Sequence, residues 1–512
     1  MERKSGILIC DDETIEQVKR AAKMCHDFLR KSDFFTDAYI LDYFVEELWN
    51  KLPSGWLEII SNFDTDDLIA FLQPGGNVRR ESPWPLSLLA FRASSFALTL
   101  PRKSIHSPDA VKYFLEKNFN SEYNAVDDDS LDDDDPLPLE NEWSCATDEF
   151  EGKSGQHKNI PEFCRRHVKP KKQHEIFRLA QVASVVFKYF GLKNVIDVGS
   201  GQGHLSRFLA LCCDLRVATM EANKRYVQDA AKFDKQALSS LERKQTHKRN
   251  ENEDIPMDKK TLPHHCEAAV TVDSFSEYLE RVMQQGWSVE VNEQIQFALM
   301  GLHTCGNLGE ALLKAFVKND QSKVLFSVGC CYMQLVGDYE YEGFPLSNFV
   351  KTFNYDMSDE AREMACHAIE MHIKRLQDDA PSLKIHCYRA ALERLIVTVS
   401  PLYKRMGMGG VRHAERLPFP VYAERVLGRY DLVRIPQDLL FSPETAECLM
   451  KWKDVLIFYS LRLMAAPVVE SLILLDRLIY LYEQGHPGCI VPIFDASLSP
   501  RNHLIISARN HH

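Results

Sequence analysis

The residues best suited to chemistry lie in one run, Val195-Ile196-Asp197-Val198-Gly199-Ser200-Gly201-Gln202-Gly203-His204-Leu205. An apolar strand enters a turn with glycine at three alternate positions, and a helix is expected from Leu205 to Cys212. Glycine tolerates positive φ and lets a ligand lie against the backbone. The helix start beyond it offers free N–H groups and the positive end of a dipole. A dinucleotide fingerprint requires Gly-x-Gly-x-x-Gly/Ala. Counted from Gly199 the third glycine position is His204, and counted from Gly201 it is Ser206, so that order is not met. Glu221 follows the next apolar segment, Arg216 to Met220, and stands 20 residues after Gly201. There a carboxylate can accept both hydroxyls of a ribose. Asp273 follows the apolar run Ala268 to Val272, a place from which an acid can meet an adenine amino group. Equally, Asp273 or Ser274 can cap a helix over 275–283, with Ser274 and Glu277 as a capping box.

Chemistry in an open α/β sheet gathers at the carboxyl ends of the strands. The fourth apolar strand of this pattern ends Gly301-Leu302-His303-Thr304-Cys305-Gly306. Asp/Asn-Pro-Pro-aromatic, the usual element for methylating an adenine amino nitrogen, is missing there, and an imidazole and a thiol stand instead. His303 could take a proton from a nucleophile near neutral pH, or only shape the pocket. Cys305 is the second candidate catalytic group. The fifth strand ends Gly329-Cys330-Cys331-Tyr332. Neighbouring strand ends would bring Cys305 near Cys330 or Cys331, and with His303 a metal site is conceivable. No fourth ligand is readable, and buried cysteine commonly serves as a small hydrophobe, so no structural metal is expected. The basic run Arg165-Arg166-His167-Val168-Lys169-Pro170-Lys171-Lys172 could bind phosphate, line the cofactor pocket, or be a solvated helix start.

These residues must be positioned by a large fold. The chain has 512 residues, 45% hydrophobic and 26% charged, a composition of globular protein. Its net charge is −12, yet residues 122–151 hold 13 acids and no Lys or Arg; removing those 13 from −12 leaves +1. An anionic substrate is therefore not excluded. The expected organisation is a helical N-terminal domain over 1–120, an acidic disordered linker over 121–157, and an α/β domain over 158–512. Strands are expected at 194–198, 216–220, 268–272, 297–302 and 324–330, and a helix at 173–190. A polar surface insertion is expected at 243–265, a helical insertion at about 358–485, and a C-terminal strand hairpin at 489–508. The 14 cysteines form no Cys-x-x-Cys pair, and the N-terminus has no signal-peptide apolar core. A reducing compartment, cytosol or nucleus, is the expectation. The apolar stretch Leu472 to Tyr482 is broken by Asp476 and Arg477 and is too short for a membrane span.

Asp197-x-Gly-x-Gly-x-Gly at a strand end resembles the first motif of class I S-adenosylmethionine (SAM) methyltransferases. This implies a seven-stranded, Rossmann-like α/β domain in which Asp197, Gly199, Gly201, Gly203, Glu221 and Asp273 contact SAM. Together with Gly301-Leu-His-Thr-Cys-Gly306, Gly329-Cys-Cys-Tyr332 and Lys171-Lys-Gln-His-Glu175, the chain resembles the methyltransferase-like protein 25 family. That family includes a shorter branch named for a ribosomal RNA adenine dimethylase domain. The likeness extends to Trp84-Pro-Leu-Ser-Leu-Leu89 and Phe494-Asp-Ala-Ser-Leu-Ser-Pro-Arg-Asn502. The His-x-Cys-Gly and Cys-Cys elements are also similar to a eukaryotic tRNA 2′-O-methyltransferase family, whose cysteine/histidine zinc-binding region this chain lacks. The resemblance implies a SAM-dependent methyltransferase and does not settle its acceptor; RNA or protein is the expectation, a classical adenine-N6 enzyme is not, and no membrane partner is expected. The alternative is a catalytically silent SAM-fold scaffold or partner subunit.

Overall fold

The computed structural model describes the chain apart from residues 1–5, 79–82, 120–142, 144–147, 152–154, 250–260, 272–273, 288–294, 336, 339–340, 431–433 and 510–512. It divides into two units, each assembled from separate chain segments. The first comprises Met1–Lys23, Leu100–Tyr355 and Leu472–His512; the second comprises Met24–Thr99 and Asp356–Ser471.

The first unit is built on a sheet. In chain order its strands are β1 (Leu8–Cys10), β2 (Asn194–Val198), β3 (Arg216–Glu221), β4 (His264–Glu267), β5 (Phe297–Thr304) and β6 (Ser322–Gly329). A two-residue-per-strand hairpin follows, β7 (Gly337–Asp338) and β8 (Tyr341–Glu342), then β9 (Gly488–Pro492) and β10 (His503–Ala508). The large sheet has eight strands in the order β1-β9-β10-β6-β5-β2-β3-β4. The run from β6 to β4 is parallel, while β10 and β9 are antiparallel to their neighbours. Every residue of β6 and of β9 and β10 is buried. That fits continuous apolar runs covered on both faces. From β2 the chain moves outward through β3 to β4, then returns to β5 on the other side of β2. The reversal opens a crevice at the carboxyl ends of β2 and β5, the place where α/β sheets bind ligands. Helix Pro170–Phe190 carries proline at its start and left-handed Gly191 at its end, the expected punctuation of a helix.

The sheet has eight strands where seven are expected from the resemblance. The extra one is β1, which pairs Leu8 with Ile490 and Cys10 with Gly488. The domain boundaries also differ from those expected. Residues up to Lys23 and from Leu100 belong with the sheet, and 24–99 joins 356–471 in a helical unit. That unit has a core of Leu392, Ile396, Phe419, Tyr422 and Val426. Phe35, Trp56 and Phe91 pack ring on ring at 5.0–5.9 Å. The third parallel strand is not 268–272 but β4, His264–Glu267. Its polar side chains hide a strand, because His265 is consumed by buried partners. The acid at this strand end is Glu267, paired across from Glu221; Asp273 lies outside the described residues. Ser274 makes no side-chain cap; its hydroxyl donates to Ala269 O instead (3.1 Å).

Most of the expected acidic linker lies outside the described residues, but its end is packed. Trp143 is buried in the core beside the sheet, and Glu149 is 2% exposed. Helix Trp452–Glu483 is long and apolar enough to cross a membrane, yet its apolar window is entirely buried. It carries the buried charges Arg462, Glu470, Asp476 and Arg477. Asp476 accepts hydrogen bonds from Leu346 N–H, Ser347 N–H and Ser347 Oγ at 2.6–2.8 Å. These are the features of a core helix.

Candidate active site

The glycine turn adopts the conformation its sequence demands. Gly199, Gly201 and Gly203 all have positive φ, at 71°, 57° and 66°. Their surroundings differ. A Cβ on Gly199 would come within 2.9 Å of Leu308 Cδ2, and one on Gly203 within 2.9 Å of His265 Cε1. A Cβ on Gly201 would meet nothing within 4 Å. Two glycines thus close the turn against its supports, and the middle one faces open space.

Glu221 at the end of β3 reaches back to this turn. Gly201 N–H donates to its Oε2 and Asn223 N–H to its Oε1, both at 2.8 Å. Both carboxylate oxygens are fixed beside the open glycine with lone pairs to spare. Asp197 points inward: it is 2% exposed and accepts a hydrogen bond from Ser206 Oγ at 2.6 Å. Burial pushes its carboxyl up to about 6, against the Ser206 hydrogen bond and the Lys172 charge. Beneath the turn, Asp234 takes an ion pair from Arg207 Nε (2.7 Å) and a contact from His265 Nε2 (2.6 Å), while His265 Nδ1 meets Thr219 Oγ1 at 2.9 Å. This buried chain ties β3, β4 and the helix after the turn together.

The second cluster is built where β5 and β6 end. His303 has φ of 67° and sits in a register shift between Leu302 and Thr304. A bulge of this kind re-aims a side chain, and a left-handed histidine is a strained conformation that accompanies functional sites. Its Nε2 lies 2.7 Å from Glu175 Oε2. Glu175 is 1% exposed, accepts from Ser499 Oγ at 2.6 Å, and has Lys171 Nζ at 3.7 Å. Burial alone would raise this carboxyl; the His303 and Ser499 hydrogen bonds and the Lys171 charge outweigh it and hold it below its usual value. The neighbouring His174 takes a hydrogen bond from Asp495 N–H on Nε2 (3.0 Å), so its proton is on Nδ1, which faces Glu149 Oε2 at 2.5 Å. Glu149 also pairs with Arg178 Nε at 2.6 Å.

Beside His303, the three sulfurs of Cys305, Cys330 and Cys331 lie 3.1–3.4 Å apart. Cys305 is exposed and Cys330 buried. The Cys305 thiol is pushed down to about 6 by hydrogen bonds from Cys330 and Cys331 and by the charges of His303 and Arg501, against burial. The Cys330 thiol is pushed up, by its hydrogen bond to Cys305 and by burial.

Four separated motifs therefore meet at one edge: Lys171–Glu175, His303–Gly306, Gly329–Tyr332 and Asp495–Asn502. Leu308 packs on Gly199 and Lys172 bears on Asp197, so the two clusters share a wall. Sequence reasoning assigned no role to Glu175 or Ser499, although both lie in motifs that mark the resemblance. The basic run splits. Lys171 and Lys172 turn toward the site, whereas Arg165 donates to His157 O (2.9 Å) and Arg166 pairs with Glu162 (3.4 Å).

Comparison with known proteins agrees with this architecture. Residues 171–338 match the family model described as a methyltransferase domain. The chain is similar to "Probable methyltransferase-like protein 25" of Homo sapiens, at 23% identity over 94% of this chain and 95% of the relative. The Mus musculus protein of the same name is 28% identical over 43% of this chain and 39% of its own length. Residues 171–338, which span the glycine turn and both cysteine-bearing strand ends, are thus a methyltransferase domain, and along nearly its whole length the chain is similar to methyltransferase-like protein 25.

Proposed function

We propose that this methyltransferase takes its methyl group from SAM bound over Gly201, with the acceptor placed before His303 and Cys305. The observation that carries the cofactor assignment is the open space above Gly201 beside a tethered Glu221 carboxylate. Glu221 would accept the ribose hydroxyls, and the backbone of Gly199 to Gly203 would lie along the methionine portion. Asp197 and Lys172 set the charge behind the turn. When bound, SAM supplies an electrophilic methyl on a sulfonium. Transfer of such a group depends mainly on alignment and exclusion of water. His303, aimed by its bulge and gripped by Glu175, would orient the acceptor, with exposed Cys305 as its neighbour. The acceptor class is RNA or protein; an adenine amino nitrogen is disfavoured because no Pro-Pro-aromatic element follows β5.

Calorimetric titration of the purified chain with SAM, S-adenosylhomocysteine and NADH tests the cofactor assignment. Micromolar or tighter binding of the first two and none of NADH is expected. Gly201→Arg fills the open space and should abolish binding; its positive φ of 57° strains any side chain there, so the variant should melt a few degrees lower yet still fold. Equal SAM affinity in wild type and variant would remove the assignment. Tritiated-SAM labelling of extract fractions then separates RNA from protein as acceptor.

A further inference from the structure

We propose that Cys305, Cys330 and Cys331 form a site for a thiophilic metal ion of the zinc class, held by three thiolates with its fourth position open. The three sulfurs form a nearly equilateral triangle, with Cys305–Cys330 at 3.1 Å and both Cys305–Cys331 and Cys330–Cys331 at 3.4 Å. They converge on one point. A disulfide has its sulfurs about 2.05 Å apart and would use two of the thiols and strand the third. A tetrahedral ion with metal–sulfur bonds of about 2.3 Å sets its sulfurs roughly 3.8 Å apart. Binding therefore asks each edge to widen by about half an ångström. Cys305 is exposed and Cys331 half-buried, so both can yield while Cys330 stays fixed.

The turns that carry these thiols are locked in place. A Cβ on Gly306, directly after Cys305, would come within 2.7 Å of Gln334 O. A Cβ on Gly329, directly before Cys330, would come within 2.6 Å of Arg477 Nη1 and 3.1 Å of Tyr332 Cε1. Arg477 is itself buried and paired with Glu310. The two glycines let the ligand-bearing turns pack closely, one on Gln334 and the other on Arg477 and Tyr332, as a preorganised site requires. Three thiolates around a divalent ion leave one negative charge, and the Arg501 guanidinium bears on both Cys305 and Cys331. His303 Nε2 is committed to Glu175, which leaves the exposed side of the triangle for water or an incoming ligand atom. Three protein ligands with one open position is the pattern of catalytic zinc. This departs from the expectation of no structural metal, which rested on the lack of a readable fourth ligand; an open site needs none.

The test uses the full chain, reduced and stripped with chelator. Zn(II) is titrated in competition with a chromophoric chelator, and Co(II) uptake is followed by its thiolate charge-transfer absorption. One ion per chain is expected, with affinity at least 100-fold weaker in Cys305→Ser and in Cys331→Ser and unchanged in the control Cys266→Ser. Circular dichroism and melting temperature establish that the variants are folded. Absence of uptake by the folded, reduced wild type, or undiminished affinity in the Cys305→Ser/Cys331→Ser double variant, would overturn the site. The proposal does not depend on SAM: parallel SAM titrations report that reading separately, whichever way the metal experiment falls.

Discussion

Replacing Glu149 by glutamine should destabilise the sheet-bearing unit, although the residue sits at the end of a long acidic stretch. Its carboxylate is 2% exposed and meets His174 Nδ1 at 2.5 Å, Arg178 Nε at 2.6 Å and His157 Nε2 at 3.5 Å. Burial alone would raise this carboxyl; the hydrogen bonds from His157 and His174 and the charge of Arg178 bring it from 4.5 down to about 2. A depressed carboxyl adds stability that is complete above the unfolded value and is lost as pH falls through the folded one. A gap of that size is worth on the order of 3 kcal/mol, which matches the roughly 3–5 kcal/mol lost when one partner of a buried ion pair is removed. Glutamine keeps the shape but offers an NH2 to a donor. Thermal unfolding at pH 7 should show the variant melting roughly 5–10 °C lower. The difference should hold constant from pH 7 to about 5.5 and narrow only below about 4.5. A drop under about 1 °C, or a difference that closes between pH 7 and 6, would refute the pairing.

Glu221→Ala should weaken SAM binding by roughly ten- to a hundredfold, the loss of charge-assisted hydrogen bonds worth about 1.5–3 kcal/mol; unchanged affinity in calorimetry would exclude Glu221 from the ribose position. Asp197→Asn should have opposite effects on stability and binding. The Asp197 carboxyl is raised from 3.8 to about 6 by burial, so its contribution is present below the unfolded value and lost as pH rises through the folded one. Asparagine should therefore raise the melting temperature above pH 6, by up to about 3 kcal/mol of stability, leave it unchanged below pH 4, and weaken SAM binding; a lower melting temperature at pH 8 would contradict the buried-charge account.

The parts of the fold legible in sequence were those where one physical demand dominates. The strands β2, β3, β5 and β6 are apolar on both faces, and the glycine turn has no other conformation to offer. Glu221 was placed by its distance from Gly201. β4 escaped because His265 is satisfied by Asp234 and Thr219, long-range partners that no local pattern announces. β1 escaped because three residues carry no periodicity and its partner lies at the other end of the chain. Glu149 stands among acids that mark a solvated segment, while its partners His174 and Arg178 sit on a helix beyond the expected linker. The convergence of Glu175, Ser499 and the three cysteines is a product of topology: parallel strand ends gather at one edge whatever their separation in sequence.

The pairing of β1 with β9 joins residues 8–10 to residues 488–490, and the second unit likewise awaits segments far apart in the chain. During synthesis, therefore, neither unit can be completed early. The parallel strands from β2 to β6 can associate once residue 329 has emerged, but β6 then presents an open edge until β10 arrives some 170 residues later. At typical elongation rates that interval is on the order of ten to thirty seconds, long enough for the edge of a hydrophobic strand to find another chain. The nascent protein should accordingly depend on chaperones that shield sheet edges, and loss of the last 20 residues should yield aggregation in place of a smaller folded enzyme.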